Sequence, residues 1–151
     1  MILEKIHKEL LVGAWRLIQW LTIYDSGKII YPMGKDAQGM LIYTTENFMS
    51  ASLYKADRSH FISGEMLTAN VEEKTQAWDS YFSYSGTFKL IGNTIYHNVI
   101  SSMYPNWIGN SQQRIASIES SNLILKTIPQ KSRQGKQYSK VEWKKMTNRL
   151  E

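Results

Sequence analysis

Apolar and polar residues alternate in short runs along most of the chain. Gly, Asn, Asp and Ser interrupt them at short intervals. This is the pattern of many short strands joined by tight turns. Residues 11–22 (LVGAWRLIQWLT) form an apolar run that ends at the turn signal Asp25-Ser26-Gly27. Met40–Thr44 and Phe48–Tyr54 read as paired strands, with Asn47 at the turn position that needs a left-handed backbone. The clearest hairpin is Thr87–Ile91, Gly92-Asn93, Thr94–Met103. A two-residue loop between β-rich runs predicts a primed turn there. A further hairpin spans Gln113–Glu119 and Leu123–Ile128, and the last strand is Gln137–Met146.

Two segments read as short helices. Asn70 is a good N-cap for residues 71–82, with Glu72 and Glu73 in the first turn and Val71, Trp78 and Phe82 on one face. The second is Ile2–Leu10. Everything else predicts antiparallel sheet. Eight or nine strands in 151 residues must close or stack to hide their edges. The expected fold is therefore all-β: a closed antiparallel up-and-down barrel with one or two short helices, in a single domain over residues 1–151. A barrel of about eight strands has a lumen for one small ligand. A two-sheet sandwich is the structural alternative.

Composition narrows the chemistry. With no Cys there is no disulfide framework, thiolate metal site or cysteine nucleophile, and His7, His60 and His97 have no ligand-like spacing, so no metal is expected. No apolar run reaches membrane-span length and the N-terminus does not read as a secretory signal, so a cytoplasmic protein without a membrane partner is expected. The net charge of +5 is uneven. Residues 1–125 hold 10 Lys/Arg against 11 Asp/Glu, whereas residues 126–151 hold 8 against 2. The aromatics lie mostly outside that basic segment, which argues against nucleic acid and for a solvated hairpin with a lysine-protected edge.

Gly13-Ala14-Trp15 resembles the Gly-x-Trp signature of the first lipocalin strand. There, glycine lets the Trp ring cross the closed end of the barrel beneath a basic side chain from another strand. Further pieces resemble the bacterial and fungal lipocalin-like domain proteins. They are Gly39-x-Leu41-Ile42-Tyr43-Thr44, Asn47-Phe48-Met49-Ser50-Ala51, Tyr84-Ser85-Gly86-Thr87-Phe88, His97-Asn98-Val99, Tyr104-Pro105-Asn106-Trp107-Ile108-Gly109 with Gln113-Arg114, and Val141-Glu142-Trp143-Lys144-Lys145. The family pattern usually has Gly at Asn47 and Arg near Lys144 or Lys145. The resemblance implies a lipocalin-like (calycin) barrel. It assigns no catalytic role.

Six residues are candidates for a ligand site: His97, Arg114, Trp107, Tyr43, Tyr84 and Tyr81. In a meander, His97 and Arg114 could meet in the lumen from neighbouring strands. A nearby cation favours the neutral imidazole, which then serves as a base or an anchor. Arg114 could hold a carboxylate or enolate oxygen. The structural alternative has Arg114 stacked on a Trp and His97 satisfying a buried donor. Alternation does not decide between them, because both faces of residues 94–103 are mixed. Trp107 reads equally as a wall at a cavity mouth or as a plug. The tyrosines suit ligand orientation or ordinary packing, and the 70–82 helix suits a lid or a cover for the sheet. Three functions compete. The first is a binding module whose lumen holds a small apolar or amphipathic molecule. The second is a cofactor-independent isomerase or cyclase using His97 and Arg114 as acid–base and anion-stabilising groups. The third is a bare structural domain with a filled core. A homodimer is left open.

Overall fold

The structure is a computed structural model and describes residues 4–62 and 64–147. Ten strands form one sheet: β1 (Gly13–Tyr24), β2 (Ile29–Ile30), β3 (Gln38–Tyr43), β4 (Phe48–Tyr54), β5 (Tyr81–Ile91), β6 (Thr94–Ser102), β7 (Ser111–Glu119), β8 (Asn122–Lys126), β9 (Gln130–Ser132) and β10 (Gly135–Lys145). β1, β3–β8 and β10 pair in chain order, and β10 returns to pair with β1. This is a closed eight-stranded antiparallel barrel, with β2 and β9 as short additions. Closure removes the open edges that an eight-stranded sheet would otherwise expose. Among the described residues no helix is long and apolar enough to cross a membrane.

The short turns gather at one end. Asn47 takes the left-handed conformation between β3 and β4 at φ 73°. Gly92 does so between β5 and β6 at φ 60°, and Ser120 and Ser121 between β7 and β8 at φ 49° and 69°. The opposite end carries the long connections, residues 55–80 and 103–110 among them.

The short-turn end is sealed. Ile6 and Leu11 are buried there, and Trp15 donates its indole N–H to the Leu11 carbonyl at 2.9 Å. Lys145 lays its ammonium 4.6 Å from the centroid of the Trp15 ring and donates to the Val12 carbonyl. Gly13 makes room for it. At φ 129°, a Cβ on residue 13 would come within 2.8 Å of the Lys145 Nζ. The basic side chain expected over the Trp is therefore Lys145, from the last strand.

Period-two alternation directs side chains inward. On β4 these are Met49, Ala51 and Leu53; on β6, Ile95, His97 and Val99. Two irregularities break the alternation. One lies between Leu17 and Gln19 of β1, the other between Ser85 and Gly86 of β5. At the second, a Cβ on residue 86 would run into the Asn98 carbonyl, so only glycine fits.

The helices depart from expectation. The second helix (α2) spans Val71–Asp79, and Phe82 belongs to β5. The Asn70 side chain accepts from the Glu73 N–H at 2.8 Å, and the Glu73 carboxylate accepts in return from Asn70 N–H at 3.3 Å. The apolar stripe is not buried, however: Val71 is 81% and Trp78 49% exposed. The capping box sustains this helix locally, without a core behind it. The first helix (α1) is only Lys8–Leu11. Ile2 and Leu3 of the expected one lie outside the described residues. Residues 4–6 lie outside the helix and are held by the Asn93 side chain. Its Oδ1 accepts from Ile6 N–H at 3.0 Å and its Nδ2 donates to the Glu4 carbonyl at 3.2 Å.

Candidate functional site

A cavity of about 300 Å³ lies inside the barrel, towards the end with the long connections. Leu41, Ala51, Leu53, Leu125 and Val141 line it, with Trp20, Phe82, Trp107 and Trp143 as aromatic walls. Polar groups come from Tyr84, His97, Gln112 and Arg114 on one side and from Thr127, Gln130, Gln137, Tyr138 and Ser139 on the other. Apolar walls with a few converging polar groups are the usual make-up of a small-molecule site. Among the described residues no cluster of His, Cys, Asp and Glu could hold a metal ion.

The register brings His97 and Arg114 together. His97 is opposite Gln112 and Ile95 is opposite Arg114, so all four share the inner face and His97 and Arg114 are diagonal neighbours. His97 is 1% exposed and bonded at both ring nitrogens. Tyr43 Oη lies 2.6 Å from Nε2 and Tyr84 Oη 2.8 Å from Nδ1. Burial, reinforced by the Arg114 charge, pushes the His97 pKa down to about 3. The ring is neutral near pH 7, so one nitrogen donates and the other accepts.

Proton counting assigns the direction of this chain. Tyr43 is fully buried, and its hydroxyl bonds to His97 alone among the described residues. An unused O–H there would carry the cost of an unmade bond, so Tyr43 donates to Nε2. The proton of His97 is then on Nδ1 and is donated to Tyr84 Oη, which leaves the Tyr84 O–H free to donate at the cavity wall. Burial raises the pKa of both tyrosines. At Tyr84, Arg114 offsets part of that rise through its charge and a side-chain hydrogen bond. Both hydroxyls therefore remain protonated near neutral pH.

Arg114 is half-buried and lies against Trp107, with the guanidinium carbon 5.8 Å from the ring centroid. Trp107 in turn meets Phe82 and Tyr84 edge-on, at 5.2 and 5.3 Å between centroids. It sits in the 3-10 turn Pro105–Trp107, which the Tyr104-Pro105 pair starts with proline at its first position. Trp107 thus packs as a plug would and also forms a cavity wall.

Five of the six sequence candidates converge. His97, Arg114, Trp107 and Tyr84 line the cavity, and Tyr43 stands behind His97. Tyr81 does not join them. It pairs with Tyr54 across β4 and β5, stacks on it at 6.0 Å and lies under Arg58 at 4.9 Å. Phe82 and Tyr84 face inward, so Tyr81 has the opposite parity. That signal was present in the sequence. Phe82 and Trp143 could also have been found from their strands. Trp20 could not, because the irregularity after Leu17 reverses the parity of β1 and turns Trp20 and Thr22 inward.

A closed meander barrel, sealed at one end and hollow at the other, defines a lipocalin-like protein. The match to the lipocalin-like domain model runs over residues 12–146, and the chain belongs to that family. It is also similar to the 4'-hydroxy-3'-methoxypropiophenone carrier protein of Aspergillus oryzae, at 32% identity over 107 residues, covering 65% of this chain and 96% of that protein.

Proposed function

We propose that the protein binds a small, largely apolar molecule in the barrel lumen. The observation that carries this reading is the cavity itself: about 300 Å³, walled by aliphatic and aromatic side chains and edged by hydrogen-bonding groups on two sides. The similar fungal protein is named as a carrier of an aryl ketone, and the four aromatic walls suit a flat ring of that kind. His97 supports carriage over acid–base catalysis. Both of its nitrogens are engaged by tyrosines, so it offers no lone pair to a bound molecule. Its role in this reading is to hold Tyr84 in place.

Titration with N-phenyl-1-naphthylamine, a neutral apolar fluorophore, tests the proposal. Saturable binding with energy transfer from tryptophan is expected, and Ala51→Trp, which fills the lumen, abolishes it. A signal that never saturates in the folded wild-type protein would overturn the reading.

A further inference from the structure

Arg114 is the only charged side chain among the described residues that line the cavity, for His97 beside it is neutral and no Asp or Glu contributes to the wall. Its hydrogen bond to a backbone carbonyl runs from Nη1 to its own neighbour, Gln113, at 2.9 Å. A guanidinium carries five N–H donors. The Trp107 face steadies its plane without neutralising it. A half-buried cation against apolar walls is costly without a counter-ion. Beside it, Tyr84 presents a hydroxyl whose proton is directed outward by the bond from His97 Nδ1. Two donors, one of them charged, therefore converge on one patch of the wall. The surfaces of Leu41, Ala51, Leu125 and Trp143 accept only apolar groups.

We infer that the ligand is an amphipathic monoanion, an aryl or alkyl body with one acidic oxygen group such as a carboxylate or an acidic phenolate. Its anionic oxygens sit on the Arg114 guanidinium and the Tyr84 hydroxyl, and its apolar body lies against the aliphatic floor. Charge-assisted bonds from a planar guanidinium suit a carboxylate edge. The neutral His97 adds no second positive charge, so one negative charge balances the site. This assignment rests on the lumen-binding reading proposed above and specifies its ligand class.

Displacement of N-phenyl-1-naphthylamine by naphthalene-2-carboxylate and by naphthalene-2-carboxamide tests it, because the two differ in charge and hardly in shape. The carboxylate is expected to compete about tenfold more strongly in the wild-type protein. Arg114→Gln should erase that preference, so that carboxylate and amide displace the fluorophore equally well. Arg114→Lys should restore part of the preference. If the amide competes as well as the carboxylate in the wild type, the anion assignment falls and lumen binding stands. If Arg114→Gln keeps its fold by circular dichroism but weakens carboxylate and amide alike, Arg114 is part of the wall and the assignment also falls. If the fluorophore does not bind, both readings fall together.

Discussion

The two ends of the barrel are built from the same eight strands, yet they solve opposite problems. At the short-turn end, Trp15 crosses the opening, Lys145 covers it, and the N-terminal segment is held in place by Asn93. At the other end, long connections leave the lumen unfilled, and Ile62, Met66 and Leu67 before α2 and Val71 at its start stand exposed. A polar side chain is handled differently at each end. Lys145 turns two of its three donors to backbone carbonyls at the closed end, those of Leu10 and Val12. Arg114 keeps donors in reserve. Closure of a barrel needs only one sealed end, and the second end is then available for binding.

The contrast can be broken most forcefully at Trp15. Trp15→Ala removes a ring that is 2% exposed from the middle of the seal. It should cost about 3–5 kcal/mol in chemical denaturation. Trp107→Ala, at the other end, removes a partly buried ring and should cost clearly less stability while weakening fluorophore binding more. Equal stability losses would contradict the division between seal and site.

Acid sharpens the comparison next. The His97 pKa is held near 3 in the folded chain, against an ordinary value of 6.5. The unfolded chain therefore takes up a proton between those values and the folded one does not. Stability should fall as pH drops from about 6.5 towards 3, with a limiting slope of about 1.4 kcal/mol per pH unit from this residue. Urea midpoints of the wild type and His97→Gln at pH 7 and pH 5 check this. The variant should be less stable at pH 7 and lose less between the two, and parallel losses would remove His97 as the cause.

Lys145→Met should cost about 1 kcal/mol, the size of a cation–π contact with its accompanying bonds at a partly exposed site. Thermal melts would detect it, and ligand binding should not change. The smallest effect on stability belongs to Arg114→Gln, expected within about 0.5 kcal/mol. Its consequence is in ligand choice. A large destabilisation there would make Arg114 part of the fold's support.

Most of the architecture was legible in the linear pattern. The strands over 40–44, 48–54 and 94–103 and the turns at Asn47 and Gly92 follow from alternation and local backbone chemistry, whereas the Gly13-Ala14-Trp15 seal was implied by the resemblance to the lipocalin signature. The helix after Asn70 was legible for the same reason: its capping box joins residues three apart. Val71 and Trp78 nevertheless stand exposed, because a helical stripe shows that a face is apolar, not that anything covers it. Tyr81 fell outside the cavity by a parity that could be counted from Tyr84.

Sequence by itself determined the alternation, the turns and the candidates His97, Arg114, Trp107, Tyr43 and Tyr84, because each depends on neighbours within a few positions. Tertiary structure alone decided which face of β6 turns inward, that Tyr43 and Tyr84 clasp His97 from strands 54 and 13 residues away, and that a slip in β1 brings Trp20 into the lumen. Those outcomes depend on register between distant strands, and register is settled only when the whole barrel closes and each strand must satisfy both of its neighbours.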